Sequence, residues 1–153
     1  PYPDPDAFGI GVWIAAALHE DPDVIDLACR NPLLQWYAAA YGRMNQNQWE
    51  AEGLHSVMPP GWHYGNDFFP FTMTAGEAEA YATQVPEEMV RKSAAFGTVE
   101  DVAELAHGFI DAGATFIGLL DVMPLHTGAA GMQDSTRRLL ELATRIKTPA
   151  VAR

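Results

Sequence analysis

The 153-residue chain has a single cysteine, Cys29, so an internal disulfide is excluded. A lone thiol fits a reducing compartment, and a cytoplasmic location is the expectation. Positive charge is scarce as well: 9 Lys and Arg against 20 Asp and Glu leave a formal net charge of -11. That balance argues against nucleic acid and anionic lipid as partners, because both are held through basic patches. No uninterrupted apolar run approaches the ~20 residues of a membrane span. Metal-ligand spacings are missing too. His19, His55, His63, His107 and His126 form no H-x-x-x-H pattern, there is no C-x-x-C, and no metal is expected. No nucleophile elbow is present, and Cys29 has no histidine nearby in sequence, which argues against acyl transfer.

What is present describes a folded protein. Hydrophobic residues make up 48% and charged residues 19%, the balance of a globular chain. A domain of this length can bury about 70% of its unfolded surface. The start, "PYPDPDAFGIGVW", has no initiator methionine and no signal-peptide pattern. A proline-rich turn running straight into an apolar strand reads as a cut inside a longer polypeptide.

Residues 8–18, "FGIGVWIAAAL", are apolar without a polar helical face, which predicts a strand buried on both faces. "DPDVIDLACRNPLLQWYAAAYGRM" predicts two helical pieces, with Pro32 restarting the helix after Asn31. Leu33, Trp36, Tyr37, Ala40 and Tyr41 share the spacing of one packed helical face. "NQNQWEAEGL" predicts a short helix stopped by Gly53. Residues 55–73 are irregular and hold Trp62, Tyr64, Phe68, Phe69 and Phe71 among Pro59, Pro60, Gly61, Gly65 and Pro70. A loop that aromatic is a packed functional loop or lid, not a linker.

"TAGEAEAYATQVPEEMVRKSAAFG" predicts helix, break at Pro86, helix, with Thr74 and Glu77 as a capping box. Thr98 is the expected N-cap of the next helix, Val99, Val102, Ala106, Phe109 and Ile110 its packed side, and Gly113 its stop. "TFIGLL" reads as a parallel strand covered on both faces. "MQDSTRRLLELATRIK" closes the chain as an amphipathic helix with Leu139, Leu142, Ala143 and Ile146 inward. Two parallel strands do not make a complete sheet with helices on both faces, and a whole eight-fold barrel needs about 250 residues. The fold class expected is therefore α/β: the C-terminal segment of a (β/α)8 TIM-type barrel with a helical and irregular insertion. Residues 1–153 form a single partial barrel domain, with strand and turn in 1–22, the insertion in 23–96 and the final helix–strand–helix in 97–153.

One stretch, "YATQVPEEMVRKSAAFGTVEDVAELAHGFIDAGATFIGLL", resembles the C-terminal part of the luciferase-like (bacterial luciferase superfamily) oxidoreductases. The residues that carry it are Pro86, Gly97 to Val102 (Gly-Thr-x-Glu-Asp-Val) and Asp111 to Thr115 (Asp-Ala-Gly-Ala-Thr). Upstream, "WHYGNDFFPFTM" is similar to the family's His-Pro-x-Gly-x-Asp-Phe segment through His63, Gly65, Asp67 and Phe68, with Tyr64 where proline is usual. The nearest branch is the deazaflavin-dependent one, the phthiodiolone ketoreductase type. The resemblance covers residues 55–120 well and 1–54 faintly, and its motifs are structural rather than catalytic. It implies an oxidoreductase that moves hydride between the deazaflavin coenzyme (F-420) and a small or lipid-like carbonyl or alcohol. An FMN-dependent monooxygenase of the same superfamily is the alternative, and a non-catalytic α/β binding module is the rival of another class. It also implies a cofactor bound at the C-terminal mouth of the barrel, largely by strands this sequence does not contain. The partners implied are a small-molecule substrate and the remainder of the barrel or a second copy, a homodimer being common in the family.

The substrate-cleft candidates are Trp62, His63, Asp67 and Phe68. Two readings of the middle pair stand. Asp67 orients the His63 imidazole for proton transfer to a carbonyl oxygen, or Asp67 caps local backbone and His63 packs. "LHTGAAGMQDS", residues 125–135, likewise reads as a phosphate-binding helix start or as a turning loop. The absence of Lys and Arg between Lys92 and Arg137 favours the loop. Catalytic and cofactor-binding residues are not assigned by the sequence.

Overall fold

The structure, a computed structural model, describes residues 8–67 and 74–148. In chain order its elements are β1 (Gly11–Leu18), α1 (Pro22–Cys29), α2 (Pro32–Tyr41), α3 (Asn47–Ala51), α4 (Tyr64–Asp67) and α5 (Ala75–Ala82). There follow α6 (Glu87–Ser93), β2 (Ala95–Gly97), α7 (Val99–Asp111), β3 (Phe116–Asp121) and α8 (Pro124–Lys147). They fall into two compact units: residues 1–22 with 95–153, and residues 23–94.

The first unit is a three-stranded parallel sheet in the order β2-β1-β3, so the protein is of the mixed α/β kind. β1 is central, with Ala16 to Leu18 against Ala95 to Gly97 and Gly11 to Ala16 against Phe116 to Asp121. Because side chains alternate across a strand, Val12, Ile14, Ala16, Leu18, Ile117 and Leu119 share one face. Onto that face pack Val99, Val102, Ala103 and Ala106 of α7 and Leu139, Leu142 and Ile146 of α8. The opposite face is open, among the described residues, at the Trp13 end: Trp13, Phe116 and Leu120 stand there 73%, 54% and 49% exposed, whereas Ala17 on the same face is fully buried. Trp13 lies flat over Gly118, where an added Cβ would come within 2.5 Å of its ring, and meets Phe116 edge-on at 5.9 Å.

This corrects the expectation of strands covered on both faces. The apolar runs are there, but the second face stays exposed at Trp13, Phe116 and Leu120 and is buried only toward Ala17. A third strand, β2, also appears where a helix was expected to continue. α6 stops at Ser93, and Ala94 is already extended at φ -147, ψ 168. Three residues are too few for alternation to announce a strand. The described strands form an open sheet rather than a closed barrel, and β1 separates β2 from β3 although α7 joins them directly.

Local chemistry sets the ends of α7 and α8. Thr98 and Asp101 form a reciprocal capping box at the start of α7. Gly113, at φ +103, ends it: the Gly113 N–H donates to Ile110 O and the Ala114 N–H to Phe109 O, the paired bonds of a Schellman motif. The buried stripe of α7 is Val99, Val102, Ala103 and Ala106, while Phe109 and Ile110 remain partly exposed. Residues 125–135, expected as a loop, are helical on both sides of a break at Gly128 (φ 62, ψ -162). The positive φ there is one that side-chain-bearing residues rarely adopt.

The second unit is helical. Asn31 caps α2 through a bond from the Leu33 N–H, with Pro32 at the first helical position where its missing N–H costs nothing. The buried face of α2 is Leu34, Ala38, Ala39 and Ala40, about one residue round from the stripe the spacing predicted; Leu33 is 58% exposed. Tyr37 and Tyr41 instead stack on each other at 5.6 Å. Gly42 follows, and a Cβ on it would approach Ala38 O to 2.5 Å and the Trp49 ring to 2.7 Å. Thr74 and Glu77 form the capping box of α5. Cys29 is buried, and burial pushes its thiol pKa up despite the nearby Arg91 guanidinium. Arg91 bridges Asp26 and Glu87, which raise its pKa further, and Arg30 also pairs with Glu87.

Candidate functional site

In parallel α/β sheets ligands are bound beyond the C-terminal ends of the strands, where loops rather than ladders set the side chains. Here those ends are Leu18–His19, Gly97–Thr98 and Asp121–Met123. The His19 N–H donates to Gly97 O at 3.0 Å, extending the β1–β2 ladder by one bond. The His19 ring accepts from the Asp21 N–H through Nδ1 at 3.0 Å, which places its remaining proton on Nε2. Gly97 has φ +153, and a Cβ there would meet Asp101 Oδ2 at 2.8 Å. The Thr98 amide and hydroxyl both donate to that Oδ2, at 2.9 and 2.7 Å, and hold the Asp101 carboxyl below its ordinary pKa. The N-terminus of α7 is thus satisfied by its own chain.

Asp121 is the acidic group at the end of β3. Its Oδ1 accepts from the Met123 N–H at 3.1 Å and its Oδ2 from the Ser135 hydroxyl at 2.6 Å. Ser135 is 2% exposed, so this bond ties the strand end to the long part of α8 from within. Each oxygen keeps one acceptor position beyond these bonds, enough to receive a ligand hydroxyl or N–H. Neither Asp121 nor Ser135 was singled out from sequence. The available signal was an aspartate placed directly after the apolar run "FIGLL".

Of the four residues proposed from sequence, Trp62, His63 and Asp67 belong to the second unit. The Trp62 main-chain N–H donates to Pro59 O at 3.0 Å, and His63 forms an antiparallel bridge with Asn45. His63 and Asp67 do come together, but through the main chain: the His63 N–H donates to Asp67 Oδ2 at 2.7 Å. The imidazole is used elsewhere, its Nδ1 accepting from the Gly65 N–H at 3.1 Å. Asp67 therefore acts as a cap for the single turn of α4 rather than as the orienter of a general base. Phe68 lies outside the described residues. His107 joins α7 to α8 through Nε2 and Ile146 O at 3.2 Å, a structural contact. Among the described residues no three His, Cys, Asp or Glu side chains converge to hold a metal ion. Among the described residues no helix is long and apolar enough to cross a membrane.

Comparison of the chain with protein-family models, with curated proteins and with solved structures gives no match.

A deazaflavin or flavin would find only part of a site on these residues. Asp121 can accept from a hydroxyl, while the His19, Thr98, Val122 and Met123 N–H groups at the three strand ends already donate within the chain. No Lys or Arg stands between Lys92 and Arg137 to balance a phosphate. No residue here is placed against a reacting ring carbon.

Proposed function

We infer that the chain is the C-terminal part of a luciferase-like (β/α)8 barrel oxidoreductase, closest to the deazaflavin-dependent ketoreductase type. One observation supports this: a parallel sheet with helices on one face and, over part of the other, exposed apolar side chains, Trp13, Phe116 and Leu120. A barrel has that asymmetry at every strand, because helices ring the outside and strand side chains pack in layers within. A doubly wound sheet has helices on both faces. In a barrel, strands joined through one helix are neighbours, so this reading requires β2 to leave β1 and pair with β3, unlike the β2-β1-β3 order seen here. β2 is three residues long and its exchange costs few ladder bonds. The reaction is hydride transfer between the deazaflavin ring and a carbonyl or alcohol carbon. The coenzyme does the redox chemistry, and the protein binds and orients it.

The bare face also favours one reading of a different class, a non-catalytic module that uses Trp13, Phe116 and Leu120 to bind another protein. Titration of the protein, together with any polypeptide that co-purifies with it, separates these. Saturable binding of oxidised deazaflavin coenzyme, tighter than FMN, supports the ketoreductase reading. Tighter FMN binding supports the monooxygenase, and a protein complex that binds neither supports the module.

A further inference from the structure

We propose that the cavity between the start of β3 and the last two turns of α8 binds an amphipathic anion, a medium-chain carboxylate. The cavity measures about 480 Å³, within the range of small-molecule sites. Its walls are Ile110, Phe116, Ile117, Leu119 and Ile146, and its one charged group is Lys147 at the rim. Ile110 and Phe116 stay 38% and 54% exposed, so the walls present apolar surface to water that a ligand chain would cover. The nearest hydroxyl, on Thr115, already donates to Ile10 O.

The charge at the rim sets the ligand class. Carboxylates outnumber cations 20 to 9 in this chain. Most described cations are paired: Arg30, Arg43, Arg91, Lys92, Arg137 and Arg145 each meet a carboxylate. Lys147 makes no ion pair or hydrogen bond among the described residues, and no carboxylate lines the cavity. An ammonium left free beside apolar walls matches a head-group carboxylate on an acyl chain, with the chain covering Ile117 and Ile146. The site lies at the N-terminal end of β3, away from Asp121; it uses Phe116 and the edge of β3 as they stand in this structure and is separate from the barrel reading, in which Phe116 would pack inside.

The test is titration of the protein with carboxyl-labelled decanoate below its micelle concentration, followed by NMR, with decanol as the uncharged control. Saturable one-to-one binding of decanoate, about threefold to fivefold tighter than decanol, is expected for a solvent-facing charge pair. Lys147→Gln should erase that difference, and Ala143→Phe, which fills the cavity, should abolish binding of both while helix content by circular dichroism is retained. Equal affinity for decanoate and decanol, an unchanged decanoate affinity in Lys147→Gln, or no saturable binding overturns the proposal.

Discussion

Replacing Trp13 by alanine should cost this chain little, and the size of that cost tests whether the second sheet face is bare. A buried tryptophan removes up to ~250 Å² from water. With Trp13 73% exposed, about a quarter of that, ~65 Å², is covered, worth ~1.6 kcal/mol at ~25 cal/mol per Å². The edge-on contact with Phe116 overlaps that area and adds a few tenths to ~1 kcal/mol. Trp13→Ala should therefore destabilise by about 2 kcal/mol or less. Leu142, fully buried on the helix-covered face, provides the internal standard: Leu142→Ala should cost about 3–4 kcal/mol through lost transfer energy and the cavity left behind. Urea denaturation of the three proteins, compared by midpoint at constant slope, measures both. A Trp13→Ala cost equal to or above that of Leu142→Ala would refute the bare-face description and the barrel inference resting on it.

Other substitutions probe the two units separately. Ser135→Ala removes the hydroxyl that holds Asp121 Oδ2 and should destabilise by about 1.5–3 kcal/mol, read by the same denaturation; Asp121→Asn in that background should recover part of the loss. Gly42→Ala forces a methyl against Ala38 O and the Trp49 ring and should cost about 1–3 kcal/mol, seen as a lowered Tm; an unchanged Tm would mean that α2 and α3 yield locally. The Asp101 carboxyl has a folded pKa below its unfolded value of about 3.9, so its cap stabilises above that pH and is lost as pH falls through the lower folded value. Asp101→Ala should accordingly flatten the acid limb of the stability profile below about pH 4, and a profile parallel to that of the parent would contradict the sign.

How much could be read from sequence depended on whether the deciding interaction was local. Asn31, Thr74 and Thr98 identify helix starts because the cap lies within three residues of its donor, and Gly113 identifies a stop because its φ is positive. β1 and β3 were legible as continuous apolar runs. What those runs could not reveal is that the second face stays exposed at Trp13, Phe116 and Leu120, since apolar alternation on a bare face looks the same as on a covered one. β2 was hidden by its length. The α2 stripe was displaced because Tyr37 stacks on Tyr41 and Trp36 meets Tyr41 edge-on, leaving Leu34, Ala38 and Ala39 to pack inward beside Ala40. At the candidate sites, the nearness of His63 and Asp67 was legible from their four-residue spacing. Which atoms meet was not, because a main-chain N–H and an imidazole compete for the same carboxylate. The Asp121–Ser135 bond joins residues 14 apart across a helix break and left no periodic trace.

The central claim, that this sheet is one part of a barrel, is tested most directly by native mass spectrometry of the protein isolated from its natural source. The account predicts these 153 residues within a species of about 250 residues or more, either as one polypeptide or held to a complementing fragment. A free species of 16.7 kDa, with no further polypeptide bound and no affinity for deazaflavin or FMN, would contradict it.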